Sequence, residues 1–276
     1  MMGMWFTGIR PSGLTGMAVR ACLLVALAGM PAIAHAGCII SIDPEEPAVL
    51  ADKVWRNESG RDVDKILWWN RGEDFASLGI GHFIWYPPGV EGPFQESFPA
   101  LLAFMSFAGA PMPAWLRDDP DCPWLTREQF LDQRNGPKAT ELRRLLIDTV
   151  ALQGAFMVAR LEAALDAMLA TASASAAALI ESRFCALASI PAGRYALVDY
   201  VNFKGEGIKP EERYAGQGWG LKQVLEEMHG TSPASVDFAQ AAARVLERRV
   251  DNAPPGRREE RWLPGWRRRV DSYRGD

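Results

Sequence analysis

From residue 43 onward, apolar positions recur at helical spacing in all but one stretch of the chain. Asp43-Pro44-Glu45-Glu46 reads as a helix start: the aspartate can cap, proline suits the first turn, and the two acids complement the positive end of the helix. Leu50, Ala51, Val54 and Trp55 then form an apolar stripe. Glu58 lies one turn beyond Val54 on the same side, and Ser59-Gly60 ends the helix. The exception follows. Residues 66–70 read as a strand, Arg71-Gly72-Glu73-Asp74 as a turn, and residues 75–86 as a returning, glycine-kinked strand stopped by Pro87-Pro88. Helical spacing then resumes over 101–107, over 126–131 with Thr126 and Gln129 as a capping box, and over the long stretches 139–170 and 174–188. Further helices are predicted over 195–203, 221–229, 236–250 and 266–273. One hairpin among many helices predicts an α+β fold, predominantly helical. The loops at 87–93, 109–123 and 251–260 lack the length and composition of a free linker, and the alanine-rich stretch 163–178 reads as packed helix.

Composition adds that the chain can bury a core, since 48% of its 276 residues are hydrophobic and 23% charged. A net charge of -4 gives no sign of a nucleic-acid partner. Arg20, an apolar run over 21–33 and Ala34-His35-Ala36 together read as a secretory signal cleaved after Ala36, with Met17 an alternative start. Residues 1–36 are thus an export segment and 37–276 a single exported domain, periplasmic or secreted; losing Arg10 and Arg20 makes its charge -6. The apolar run is too short for a stable membrane span. Cys38 offers a lipoprotein anchor as an alternative, although His35-Ala36-Gly37-Cys38 lacks the usual aliphatic residue at its first position. Among Cys38, Cys122 and Cys185, three disulfide pairings are open. With only His82 and His229 in the exported part and no cysteines at ligand spacing, neither a metal nor a cofactor is expected.

Glycoside hydrolysis needs a carboxylic acid that is still protonated near neutral pH, and burial beside apolar groups provides one by penalising the anion. Glu58, following Val54 and Trp55, is the candidate. The hairpin would form a cleft wall carrying Glu73, Asp74 or Ser77 to hold a water, with Gly79 and Gly81 allowing close backbone approach and His82 orienting Glu58 or Ser77. Against this stand plainer roles: a solvated glutamate at a helix end, turn carboxylates and a strand serine. Flat rings suit sugar faces, which nominates Trp69, Trp85, Tyr214 and Trp219 as substrate contacts. The glycine-rich segment 214–221 lacks a phosphate-loop ending and reads as a loop over the cleft, with Gln217 as a further contact and Glu206 nearby as a spare carboxylate. From Arg244 onward ten arginines face six acids, which suits solvated helix faces or attraction to an anionic polymer.

These residues resemble a family. Glu58, the hairpin and Ser77-Leu78-Gly79-Ile80-Gly81-His82 are similar to phage-type lysozymes, where a helix-terminal Glu precedes a hairpin bearing an Asp and a Thr-x-Gly-x-Gly-His segment. The segment from Ala196 to Gly205 resembles their buried helix ending in Asn and Gly, and Leu263-Pro264-Gly265-Trp266-Arg267-Arg268-Arg269 resembles their entry into a late helix. The resemblance covers 43–90 and, more loosely, 194–274, and leaves 91–193 as a helical insertion. Ser77 replaces the family's Thr, and Arg71 falls where its Asp would be. The resemblance implies a lysozyme-like fold with one hairpin wall and a helical lobe, and cleavage of peptidoglycan or a related polysaccharide with Glu58 as general acid. It also leaves open a lytic transglycosylase using Glu58 alone, and a non-catalytic glycan-binding envelope protein that retains the fold.

Overall fold

The computed structural model describes Cys38 and residues 40–275; the predicted export segment and its cleavage site lie outside the described residues. Helix α1 (Glu46–Ser59) leads into a small antiparallel meander of β1 (Leu67–Trp68), β2 (Ala76–Leu78) and β3 (Phe83–Trp85), in which Ser77 pairs with Trp68 on one side and Ile84 on the other. Helices α2 (Phe98–Phe107), α3 (Ala114–Asp118), α4 (Arg127–Gln133), α5 (Pro137–Asp148), α6 (Val150–Ala170), α7 (Ala174–Ala188) and α8 (Pro191–Lys204) follow. A two-stranded hairpin, β4 (Arg213–Tyr214) with β5 (Gln217–Gly218), precedes α9 (Leu221–Glu227), α10 (Ala234–Asn252) and α11 (Leu263–Asp271). With 61% helix against 5% strand, the chain is α+β and mostly helical. Among the described residues, no helix is long and apolar enough to cross a membrane.

Local chemistry explains where the elements depart from the sequence pattern. Helix α1 starts later than Asp43-Pro44 suggests: Pro47 falls in its first turn, and the Asp43 carbonyl, not its carboxylate, accepts the Glu46 N–H at 2.9 Å. Its end is as predicted, with Gly60 left-handed at φ 66° and donating to the Arg56 carbonyl. The predicted returning strand over 75–86 divides into β2 and β3, because Gly79 (φ 71°) and His82 (φ 52°) both turn the backbone left-handed. The predicted helix over 139–170 breaks at Thr149, whose hydroxyl donates back to the Leu145 carbonyl at 2.7 Å. The segment read as a loop over 214–221 instead makes β4 and β5, turning at left-handed Ala215 and Gly216.

The core is continuous from α1 through the sheet to α6, α8 and α10. Leu50, Ala51 and Val54 of α1 pack on α6, where Gly154 permits close approach: a Cβ there would overlap the Pro47 carbonyl. Gly154→Ala is therefore expected to cost about 1–3 kcal/mol, read as a lower urea midpoint. An unchanged midpoint would mean that the two helices separate freely. Gln153, fully buried, accepts the Ile80 N–H at 3.0 Å and donates to the Leu146 carbonyl at 2.7 Å, pinning the turn that carries His82 onto α6.

Candidate active site

Glu58 ends α1 facing inward, its side chain 15% exposed. Three segments distant in sequence meet on its carboxylate. Arg269 Nη2 of α11 donates to Oε1 at 2.7 Å, Asn202 Nδ2 at the end of α8 donates to the same oxygen at 3.3 Å, and His82 Nδ1 stands 3.4 Å from Oε2. Asn202 Nδ2 also reaches the Gly81 carbonyl at 3.1 Å, tying the His82 turn to α8. The other ring nitrogen of His82, Nε2, is buried without a hydrogen-bond partner among the described residues.

Behind Glu58 lies a second carboxylate. Asp199 is fully buried; it accepts from Arg269 Nε at 2.7 Å, Arg269 Nη2 at 2.9 Å, the Tyr273 hydroxyl at 2.5 Å and Asn57 Nδ2 at 3.2 Å. One guanidinium thus bridges α1 and α8, and its planar fork is what lets it serve two carboxylates. Phe203 covers it, with the guanidinium carbon 4.1 Å from the ring centre.

The electrostatic outcome reverses the expectation for a resting general acid. Burial pushes the Glu58 carboxyl up, but the adjacent Arg269 and the His82 contact outweigh it and hold the group at about 2. At neutral pH the resting side chain is a carboxylate. A group depressed in the folded state adds stability above its unfolded value, roughly 4.3, and loses that contribution as pH falls through the folded value. The stability gap between wild type and Glu58→Gln is therefore expected to close between about pH 4.5 and 2, which urea unfolding of both proteins across that range would measure. A gap that persists at pH 2 would mean that Glu58 is not held ionised by Arg269.

A cavity of about 270 Å³ opens beside this cluster, with His82, Asn202 and Gly81 on one wall, and Phe94, Arg160, Glu206 and Trp219 among the residues around it. Glu58 stands one side chain behind that wall. Lys204 also lines the cavity, its Nζ 3.5 Å from the Trp266 ring centre and 3.9 Å from that of Phe203. Burial, reinforced by Arg249 and Arg269, lowers its ammonium well below the usual lysine range. Glu206 contacts Arg160 at 3.5 Å on the cavity edge.

The sequence-predicted residues divide accordingly. Glu58 and His82 come together. Ser77 is buried within β2 and is not among the hydrogen-bond partners of Glu58. Glu73 accepts from Asn70 Nδ2 at 3.0 Å, and with Asp74 it lines a separate depression shared with Arg71 and Arg127. Trp69 and Trp85, expected to meet substrate, are core residues at 3% and 1% exposure: Trp69 stacks near Phe130, and Trp85 lies between Phe98 and Trp124. Of the later contacts, Trp219 lines the cavity, with Arg249 stacked on its ring at 4.0 Å. Tyr214 donates to Glu259 at 2.9 Å, and Gln217 is exposed on the β4–β5 hairpin; neither lines the cavity. Arg269, Asn202 and Asp199 were not predicted site residues, yet all three lie in the two later segments that carry the family resemblance. Among the described residues, no cluster of three His, Cys, Asp or Glu side chains is placed to hold a metal ion.

No protein-family model, curated protein or solved structure matches the chain.

Proposed function

We propose that the protein is an exported, lysozyme-like glycosidase that cleaves peptidoglycan or a closely related glycan, with Glu58 as the proton-carrying carboxyl. The observation that supports this reading most is the convergence of His82, Asn202 and Arg269, from three distant segments, on one inward-facing carboxylate beside a cavity with an aromatic wall. Glu58 donates its proton to the leaving glycosidic oxygen as the bond from the anomeric carbon breaks, and the oxocarbenium-like sugar is then captured. Because the resting group is ionised, donation requires substrate to shift Arg269 from Oε1. Burial, the largest influence on Glu58, then raises its proton affinity.

A second reading concerns the capturing nucleophile. Glu73 and Asp74 line a depression of their own, and the Ser77 hydroxyl is buried in the sheet, so none of these three hairpin groups is among the partners of Glu58. That favours transglycosylation, in which the sugar's own 6-hydroxyl attacks the anomeric carbon and returns its proton to Glu58. The test is turnover of purified peptidoglycan by wild type and Glu58→Gln, with mass spectrometry of the released fragments. Fragments ending in 1,6-anhydro sugars identify transglycosylation, and reducing ends identify hydrolysis. Binding of peptidoglycan by the wild type without turnover would refute the enzymatic reading in favour of a glycan-binding envelope protein.

A further inference from the structure

We propose that Lys204 is the anion-recognition group of the cavity, and that the glycan bound there carries a carboxylate which the lysine ammonium receives. Lys204 is the last residue of α8, two positions beyond Asn202, where a lysine ordinarily bonds the final helix carbonyls. Here Nζ instead lies in the angle between two nearly perpendicular rings, 3.9 Å from the centre of Phe203 and 3.5 Å from that of Trp266. The rings stabilise the positive charge but offer no lone pair. Among the described residues, the ammonium has neither a hydrogen-bond acceptor nor an ion-pair partner, although Lys204 lines the cavity.

The neighbouring charges leave that ammonium uncompensated. Arg249 stands over the same Trp266 ring at 5.0 Å, but its Nε and Nη2 are taken by Glu259 at 2.7 and 2.9 Å, and Tyr214 occupies Glu259 as well. Glu58 is bound by Arg269. Of the carboxylates lining the cavity, Glu206 faces Arg160 at 3.5 Å, Glu212 accepts the Lys209 N–H at 3.3 Å, and Glu211 is exposed. Each arginine beside Lys204 thus has a carboxylate of its own, and the lysine has none. Burial and the two arginines act against its charge, and an anion entering from the cavity relieves both. The three carboxylates on the lining disfavour a dianion such as a phosphate monoester, which leaves a single carboxylate as the match to one ammonium. That the ligand is a glycan rests on the glycosidase reading; that it is an anion rests on Lys204 and its surroundings.

Calorimetric titration of the protein at pH 7 with three probes tests this: N-acetylmuramic acid, with its carboxylate on the sugar; its uncharged methyl ester; and muramyl dipeptide, with its carboxylate on the peptide. The wild type is expected to bind one or both charged probes at least about 10-fold more tightly than the ester, and Lys204→Met to bind all three as weakly as the wild type binds the ester. Preference for the acid places the anion on the sugar, and preference for the dipeptide places it on the attached peptide. Lys204→Met keeps an apolar stem against the rings and removes an unpaired charge, so its Tm without ligand is expected to equal or exceed that of the wild type. Four findings would each overturn the proposal: no binding of either charged probe, equal wild-type affinity for charged probes and ester, a Lys204→Met variant that keeps the preference, or a fall of about 5 °C or more in its Tm, which would mean that the two rings already satisfy the ammonium. None of the probes contains a bond between sugars, so turnover does not enter. A protein that binds the acid through Lys204 but leaves peptidoglycan intact would retain the anion site and lose the glycosidase, and one that cleaves peptidoglycan but binds all three probes alike would do the reverse.

Discussion

Arg269→Met is expected to destabilise the protein by about 3–5 kcal/mol at pH 7, a loss large enough to threaten folding. The substitution retains most of the apolar volume beside Phe203 but strands two carboxylates. Asp199 is fully buried and Glu58 is 15% exposed, so neither recovers enough water to replace the guanidinium. Arg269→Lys keeps the charge yet offers a compact ammonium where Nε and Nη2 now divide between two acceptors, so it should recover only part of the loss. Urea unfolding followed by tryptophan fluorescence gives the comparison. A loss below about 1 kcal/mol for the methionine variant would show that the cluster is well hydrated in solution and that Glu58 is not held by Arg269.

The second large effect is on activity. Glu58→Gln should reduce peptidoglycan cleavage by about 10²–10⁴-fold while far-UV circular dichroism stays unchanged, because an amide keeps the shape but carries no transferable proton. Arg269 retains Asp199 as its partner in this variant, so the fold has less to lose than when the arginine itself is removed. Wild-type turnover with Glu58→Gln equally active would end the assignment of Glu58. The pH profile adds a separate check: if Arg269 must move before Glu58 accepts a proton, wild-type activity should fall steeply as pH rises from 5 to 8, since the carboxyl is held at about 2 until substrate displaces that contact.

The legible parts of the molecule are those governed by local periodicity and backbone chemistry. The predicted helix over 174–188 matches α7 residue for residue, and the glycine that stops α1 behind Glu58 was visible as Ser59-Gly60. The capping box at Thr126 is half realised: its hydroxyl accepts the Gln129 N–H at 3.2 Å, while the Gln129 amide turns to the Leu125 N–H at 2.7 Å. The division of 75–86 into two strands was harder to read. It depends on His82 adopting a left-handed conformation that a non-glycine residue rarely takes, held there by the Gln153 and Asn202 contacts around the turn. Trp69 and Trp85 fall in the core for a related reason: indole suits both a sugar platform and a core, and only the segment 98–130, which brings Phe98, Trp124 and Phe130 against them, settles which.

By itself the sequence determined the predominantly helical α+β class, an antiparallel region within 66–86, and Glu58 at a helix end followed by His82, because each follows from spacing, turn residues and capping over a few positions; the second hairpin, β4 with β5, it did not. The state of that glutamate is a tertiary property. Val54 and Trp55 beside it imply a carboxyl raised by burial, and burial does act in that direction. What reverses the balance is Arg269, 211 positions along the chain, brought to 2.7 Å by the packing of α11 against α10 and the bridge to Asp199 on α8. An ion pair at that separation leaves no periodic trace in the sequence, and in a low-dielectric site it outweighs the local desolvation that the sequence alone conveys.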